Sequence, residues 1–386
     1  MERPIFQPVG TPVEELDTPA LVVDIDVLEQ NIDTVHGVFR QVRSDGVTPE
    51  VDSLVRPHVS CHGCPQIAQL QVSADPAFSE EPPSCSGAIA VNTVSEAEAF
   101  AAAGFDDILI SGRVVTLPKI RRAITLARHI WVFQAVDNHR NVQDLSLAAE
   151  AEDVVLGVVV DIDSGYGHGG VAPGDEAVRL AQAVEDAPGL ALMGVTTYEG
   201  PLPFPDLTEL RTETRNRIRP VLETVQQMER AGLEVPVVSA GSTHNYDAAA
   251  RMTGVSEVLA GTYALMDAQT LPIRPELQPA ARVLSTVISH PVPERAVVDA
   301  GHKTTGPDFG VAVLDGVPGA TATRFSAEHG ILELEGEATG RLNPNEKVWL
   351  VPYNLALCVN QFDYFRAVQD GKLMGYWPIA GRGRLD

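Results

Sequence analysis

Over the first two-thirds of the chain, short apolar runs alternate with stretches whose apolar residues recur every three or four positions. No other feature restricts the fold as much. An apolar run of strand length followed by an amphipathic helix is the repeat of a parallel sheet with helices outside it. ALVVDI (20–25) precedes VLEQNIDTVHGVFRQV, and AIAVNT (88–93) precedes SEAEAFAAAG, where Ser95 is expected to cap a helix ending near Gly104. DILIS (107–111) leads into a predicted helix over 117–128, HIWVFQAV follows, and VVLGVVVDI (154–162) leads into a helix over 174–187. LALMGVTTYEG, VPVVSAGST and EVLAGTY complete the series. Seven or eight such units predict a (β/α)8 barrel.

After about residue 275 the pattern becomes one of short strands between Gly, Pro and Asn turns: RVLSTVISHPVPERAVVDAG, GVAVLDGV, HGILELEGEAT, EKVWLVPY and GKLMGYWPIAGRGR. The expected organisation is a barrel over 18–275 and a β domain over 276–386, with 1–17 joining the latter. The Pro-, Ser- and Glu-rich stretch 72–87 is expected to be a surface loop. A chain of 386 residues with 44% hydrophobic content can bury a substantial core. Its net charge of −24 argues against a phosphate-backbone partner, so nucleic acid binding is not expected. The N-terminal MERPIFQPVGTPVEELDTPALVV lacks the layout of an export signal, and no run of about 18 apolar residues occurs, so a cytoplasmic, membrane-free chain is expected. Four cysteines do not make a disulfide scaffold. Cys61 and Cys64 form a C-x-x-C beside His58 and His62, but no second pair follows at zinc-finger spacing, so reduced thiols are favoured over a structural zinc.

Barrel chemistry belongs at the C-terminal ends of the strands. The polar residues there are Arg56-Pro57-His58, Asp163 to Gly170, Tyr198-Glu199-Gly200, Ser239 to Asn245 and Gly261-Thr262-Tyr263. These segments, with LDTPALVVDIDVLEQNI (16–32), RPHVSCHGCPQIAQLQ (56–71), NTVSEAEAFAAAGFDDILIS (92–111), DIDSGYGHGGV (161–171), AGTYALMD (260–267), VVDAGHKTTGPDFG (297–310), AEHG (327–330) and WPIAGRGR (377–384), resemble the D-serine dehydratase and D-threonine aldolase family. The match is collinear over almost the whole chain. The resemblance implies a fold-type III pyridoxal-phosphate fold: an alanine-racemase-like (β/α)8 barrel, a C-terminal β domain, and a head-to-tail homodimer with shared active sites.

Three departures from that family carry the functional reading. Where the family's first barrel strand ends in R-P-H-x-K-T-H-K, this chain has Arg56-Pro57-His58-Val59-Ser60-Cys61-His62-Gly63. The lysine that would form the Schiff base is Ser60, and a hydroxyl cannot form an imine. His168 stands where the family usually has an Arg that donates to the cofactor's phenolic oxygen, and histidine brings no fixed charge at neutral pH. The family's metal-binding P-N-H-x-C is matched by Pro352-Tyr353-Asn354-Leu355-Ala356, in which Asn354 is a poor zinc ligand and Ala356 is none. Cys358 lies two residues further on and is expected to be buried.

The chain has four lysines, at 119, 303, 347 and 372, and of these Lys303 alone lies in a matched functional segment, beside Asp299 and His302. It is the one candidate for a substitute imine, although the family does not use a lysine there as anchor. His58, Ser60, His62, His168 and Tyr198 are the candidate catalytic residues, with His62 equally open to a structural role. Glu199 is a candidate for substrate contact, and Glu328-His329 can supply a proton donor or simply form a turn. Gly241, Ser242, Thr243, Gly261, Thr262 and Tyr263 are the candidate phosphate cup, or else ordinary strand-to-helix turns with caps. The expected function is lyase-type acid–base chemistry on a small polar or amino-acid-derived substrate without lysine-bound pyridoxal phosphate. The alternative is a non-catalytic relative that holds pyridoxal phosphate, or another phosphate-bearing ligand, non-covalently. A conventional pyridoxal-phosphate lyase ranks third.

Overall fold

A computed structural model describes residues 7–44, 53–74, 88–204, 206–306 and 309–386. Of the expected loop at 72–87, residues 75–87 lie outside the described residues. The chain divides into two compact units, one made of residues up to Ile32, Cys61–Gln66 and Thr262–Gly383, the other of Asp33–Ser60, Ile67–Gly261 and Arg384–Asp386.

The second of these is the barrel. Its strands are β2 (Leu54–Pro57), β3 (Ala88–Val91), β4 (Asp107–Ile110), β5 (Trp131–Val136), β6 (Leu156–Asp161), β7 (Leu190–Thr196), β8 (Val237–Ala240) and β9 (Glu257–Ala260). All pair in parallel in the order β2-β9-β8-β7-β6-β5-β4-β3. A parallel bridge between His58 and Ala90 brings the two ends of that order together, so the eight strands form a nearly closed barrel. Parallel strands covered on both faces are apolar throughout, which is why these runs read as continuous rather than alternating. Ile89, Ile108, Val132, Val158 and Val195 pack outward in the large core with apolar residues of α3 (Val94–Ala102), α4 (Leu117–Ala127), α5 (His139–Ala151), α6 (Asp175–Glu185) and α7 (Leu207–Arg230). Ala90, Leu109, Phe133, Ala135 and Val159 form a smaller inner cluster.

The helix starts follow local chemistry. Thr93, not Ser95, caps α3: its hydroxyl accepts from the Glu96 N–H at 3.1 Å, while the Glu96 carboxylate accepts from the Thr93 N–H at 3.0 Å. Ser95 is inside the helix, where its hydroxyl bonds the Asp386 carboxylate at 2.5 Å. Asp206 caps α7 by accepting from the Thr208 and Glu209 N–H groups, both at 2.9 Å.

The other unit is a nine-stranded sheet of β1 (Ala20–Asp24), β10 (Ala281–Val292), β11 (Arg295–Val298), β12 (Val313–Asp315), β13 (Ala320–Phe325), β14 (Gly330–Leu334), β15 (Lys347–Val351), β16 (Tyr364–Gln369) and β17 (Lys372–Pro378). The run 20–25, which heads the alternating series in the sequence, therefore belongs to this sheet and not to the barrel. Strand β1 pairs antiparallel with β10, Val22 opposite Arg282, and parallel with β16, Val22 opposite Arg366. Its apolar side chains join Leu16, Leu284, Val368 and Leu373 in a separate core. Among the described residues no helix is long and apolar enough to cross a membrane.

Candidate active site

The C-terminal ends of the barrel strands carry a polar rim. Arg56 is not part of it, against the expectation from the sequence. Its guanidinium bonds Asp107 at 2.7 Å and Glu257 at 2.8 Å, the first residues of β4 and β9, and lies over the Phe133 ring. Arg56 thus braces the opposite, N-terminal end of the barrel, where polar residues serve stability.

His58, one residue past β2, donates its backbone N–H to Ala260 and places Nε2 3.1 Å from Ser111 Oγ. The Ser111 hydroxyl gives its own proton to the Val91 carbonyl at 3.0 Å, so the histidine side donates and Nε2 carries hydrogen. Burial pushes the His58 pKa down to about 4, which leaves a neutral ring at pH 7 and a weak base.

Ser60 sits in the single turn Val59–Cys61 after β2. Its hydroxyl donates to Glu96 Oε2 at 2.8 Å and accepts from the Asn92 N–H at 2.9 Å. Burial raises the Glu96 carboxyl above the usual carboxylate range, opposed by bonds from Ser60, Asn92 and Thr93. Sequence reasoning passed over Glu96, although T-V-S-E at 93–96 is a capping-box signature that places a carboxylate at a strand end.

The glycine loop after β6 is wound around Asp163, whose Oδ1 accepts from Gly165 N at 2.9 Å and Gly167 N at 3.0 Å. Those two bonds, Gly167's foremost, hold its carboxyl below the usual range. Gly169 and Gly170 have φ of +156° and +90°, and a Cβ on Gly169 would lie 2.4 Å from the Arg113 guanidinium. Glycine is required at 170, where a Cβ would lie 2.6 Å from the Asp163 backbone nitrogen, and the loop lies against Arg113, which bonds Asp137 at 3.1 Å and Asp161. The loop also carries Tyr166, stacked on His168 with ring centroids 5.9 Å apart. Tyr166 meets Tyr198 edge to face at 5.6 Å and 86°. His168 and Tyr198 are thereby brought together through Tyr166, which lies in the strand-end segment Asp163 to Gly170 but has no role assigned from sequence. Partial desolvation pushes the Tyr198 hydroxyl up to about 12, although the residue as a whole is 44% exposed, so it remains a proton donor at neutral pH.

Glu199 is fully buried, and its carboxyl is raised by that burial. It accepts from Gly241 N at 3.1 Å and from Asn245 Nδ2 at 3.2 Å. Ser242 gives both its N–H, at 2.7 Å, and its hydroxyl, at 3.1 Å, to Asn245 Oδ1. Thr243 is buried, and the following helix α8 (Tyr246–Ala249) is a single turn with little dipole to offer an anion. Gly261 closes the barrel unit; Thr262 and the fully buried Tyr263 begin a single turn in the other unit.

In the sheet unit, His62 is fully buried and accepts the Cys64 N–H on Nδ1 at 3.0 Å. Cys61, Cys64 and Cys358 are free thiols. Cys358 is fully buried, bonds the Thr304 carbonyl at 3.1 Å, and has a thiol raised by desolvation. Asp299 is engaged by Thr18 and Ser285 hydroxyls, each at 2.6 Å, and by Thr286 N at 2.8 Å. Lys303 pairs with Glu328. Lys347 donates to Leu16 O and Thr286 Oγ1, both at 3.0 Å.

Neither group that the family implies fits these residues. The metal position fails because Asn354 Oδ1 caps the short helix α10 (Leu355–Val359), accepting from Leu357 N at 3.2 Å, and Ala356 has no donor atom. Among the described residues no cluster of three or more His, Cys, Asp or Glu is placed to hold a metal ion. The Ser60 hydroxyl cannot form an imine, and the Gly241 and Ser242 N–H groups are bonded to Glu199 and Asn245. Lys119, in α4, is the one lysine of the barrel unit.

The alanine racemase N-terminal domain model matches residues 84–268, and the putative serine dehydratase domain model matches 280–368. A 3-hydroxy-D-aspartate aldolase from Paracoccus denitrificans (strain Pd 1222) is 32% identical over 97% of this chain and 94% of its own length. The chain belongs to the D-threonine aldolase and D-serine dehydratase family. A D-threonine aldolase from an Arthrobacter species is 31% identical over 98% of this chain and 96% of its own. The crystal structure of D-threonine aldolase from Filomicrobium marinum superposes with a TM-score of 0.89 at 30% identity, covering 98% of this chain and all of that one. The relatives are lyases, aldolases and dehydratases alike, and the shared fold is the alanine-racemase-like barrel with a C-terminal sheet domain.

Proposed function

We propose that this family member is a lyase-type enzyme that acts on a small amino-acid-derived substrate without a lysine-bound cofactor. The observation that carries the reading is the Ser60 hydroxyl. It stands at the position where the family motif has its lysine, and it is bonded to the buried Glu96 at 2.8 Å. A hydroxyl backed by a carboxylate of raised pKa is a proton relay: Ser60 takes a proton from a substrate hydroxyl as it passes its own to Glu96. As the hydroxyl becomes the carbonyl, the Cα–Cβ bond breaks and its electron pair stays on Cα, which takes a proton from Tyr198; His168 lies in the same ring cluster. His58 orients through Ser111. The relatives named for D-threonine and 3-hydroxy-D-aspartate supply the substrates to try first.

The test has two parts. Purified chain is incubated with pyridoxal phosphate, treated with borohydride and weighed by mass spectrometry. The expected result is no fixed adduct, and an adduct on any lysine overturns the lysine-free reading. Carbonyl release from the two β-hydroxy amino acids is then assayed for the chain as it stands and for Ser60→Ala, with a loss of about 100-fold or more expected in the variant. The second reading is a non-catalytic relative, favoured by the fact that Ser60 already makes two internal bonds. Absence of carbonyl release from either substrate would select it. A homodimer accords with the family and is tested by light scattering.

A further inference from the structure

An amino-acid substrate that forms no imine keeps its ammonium group, and that charge loses water on entering a barrel mouth unless something replaces the water. The mouth of this barrel is better prepared for a cation than for an anion. The Gly241 and Ser242 N–H groups, natural donors to an anion, are bonded to Glu199 and Asn245. Around the glycine loop the carboxylates of Asp137 and Asp161 face the guanidinium of Arg113, and the Asp163 carboxylate lies within the loop itself. Arg217, which acts electrostatically on Asp163 and Glu199, is itself paired with Glu213 at 2.7 Å.

Each of these carboxylates already has partners. Asp163 holds Gly165 and Gly167, and Asp137 and Asp161 hold Arg113, so their contribution is a negative potential and not a free oxygen. Within that potential stand the two tyrosines, perpendicular at 86°, 43% and 44% exposed. Two rings meeting edge to face form a corner, and the electron-rich ring surface it leaves exposed is what attracts a cation. The corner is held in shape. His168 stacks on Tyr166, the Ser164 hydroxyl bonds the Tyr198 carbonyl at 3.2 Å, and Gly200 leaves space for the ring, since a Cβ there would lie 2.3 Å from Tyr166 Cδ2.

We infer that the perpendicular rings of Tyr166 and Tyr198, on an acidic rim, receive the ammonium group of the substrate. The substrate class is then a free, unphosphorylated amino acid or related amine. This inference rests on the lysine-free reading, because an imine would leave no ammonium to recognise.

Choline and its uncharged isostere 3,3-dimethylbutan-1-ol differ in charge and hardly in shape. Each is titrated into the full chain while tyrosine ring resonances are followed by NMR. Choline is expected to bind saturably and about tenfold or more tighter than the isostere. Tyr166→Leu and Tyr198→Leu are each expected to weaken choline by about fivefold to tenfold, while Tyr166→Phe and Tyr198→Phe retain it. Equal binding of the two probes, or leucine variants that bind choline as well as the parent chain, would overturn the site. Far-UV circular dichroism checks the variants, and if a leucine variant is unfolded the comparison of isosteres decides alone. A borohydride-fixed lysine adduct would bring down this inference together with the reading beneath it. Lack of choline selectivity without an adduct would remove the ammonium site and leave the lysine-free reading standing.

Discussion

His58 shows how burial turns a candidate acid–base residue into a pH-sensitive structural one. Its pKa is about 4 in the folded chain and near 6.5 in the unfolded one, so between those values the unfolded state binds more protons. Stability is full above about pH 6.5 and falls as the pH drops toward 4. His58→Gln, which can still donate to Ser111, is expected to lose about 2 kcal/mol less than the parent chain between pH 7 and pH 4.5, measured by urea unfolding. The raised carboxyls of Glu96 and Glu199 act in the opposite direction, and comparison with the variant isolates the histidine. At this scale the sequence was informative about identity and silent about partners. Ser60 and Asn354 can be read as departures from a motif by inspection. That Ser60 meets Glu96, or that Asn245 takes the Ser242 N–H, depends on which strand ends the closed barrel brings together.

Strand β7 illustrates a constraint that belongs to an element and not to a single side chain. Its pairing with β6 shifts register beside Val159, and Gly194 follows that irregularity with φ of +145°. A Cβ on Gly194 would stand 1.9 Å from the Val237 carbonyl oxygen, so β8 can pair with β7 only if this residue has no side chain. Gly194→Ala is expected to cost about 3 kcal/mol or more, whereas Gly232→Ala, at φ +86° with open space around it, should cost about 1 kcal/mol. Thermal or urea unfolding of the two variants checks the contrast. The alternation of strands and helices was legible in the sequence because buried parallel strands are apolar throughout and their helices are amphipathic. The same property hid the placement of β1. A run such as ALVVD is equally suited to either sheet, and only its partners, Arg282 and Arg366 opposite Val22, decide between them.

For the molecule as a whole, a net charge of −24 is a standing self-repulsion that ordered ion pairs relieve only locally. Raising the salt concentration from about 10 mM to 200 mM shortens the screening length and is expected to raise Tm by about 2–4 °C in a scanning calorimeter. No increase would mean that favourable surface pairs such as Arg122 with Glu98 and Asp386 lose as much to screening as the repulsion does. The pairing of β1 with β16 bears on the order in which the chain can fold. One strand comes from the start of the described chain and its neighbour from near residue 368, with the barrel's whole stretch in between. Contacts so distant in sequence form late, since the loop they close must be ordered first. The barrel is in effect an insertion between strands of the sheet in the chain, and apart from the closing pairs of β2 its strands pair with their neighbours in sequence. In refolding, the barrel should gain protection from hydrogen exchange before β1 does, because both partners of β1, β10 and β16, follow the barrel strands in the chain.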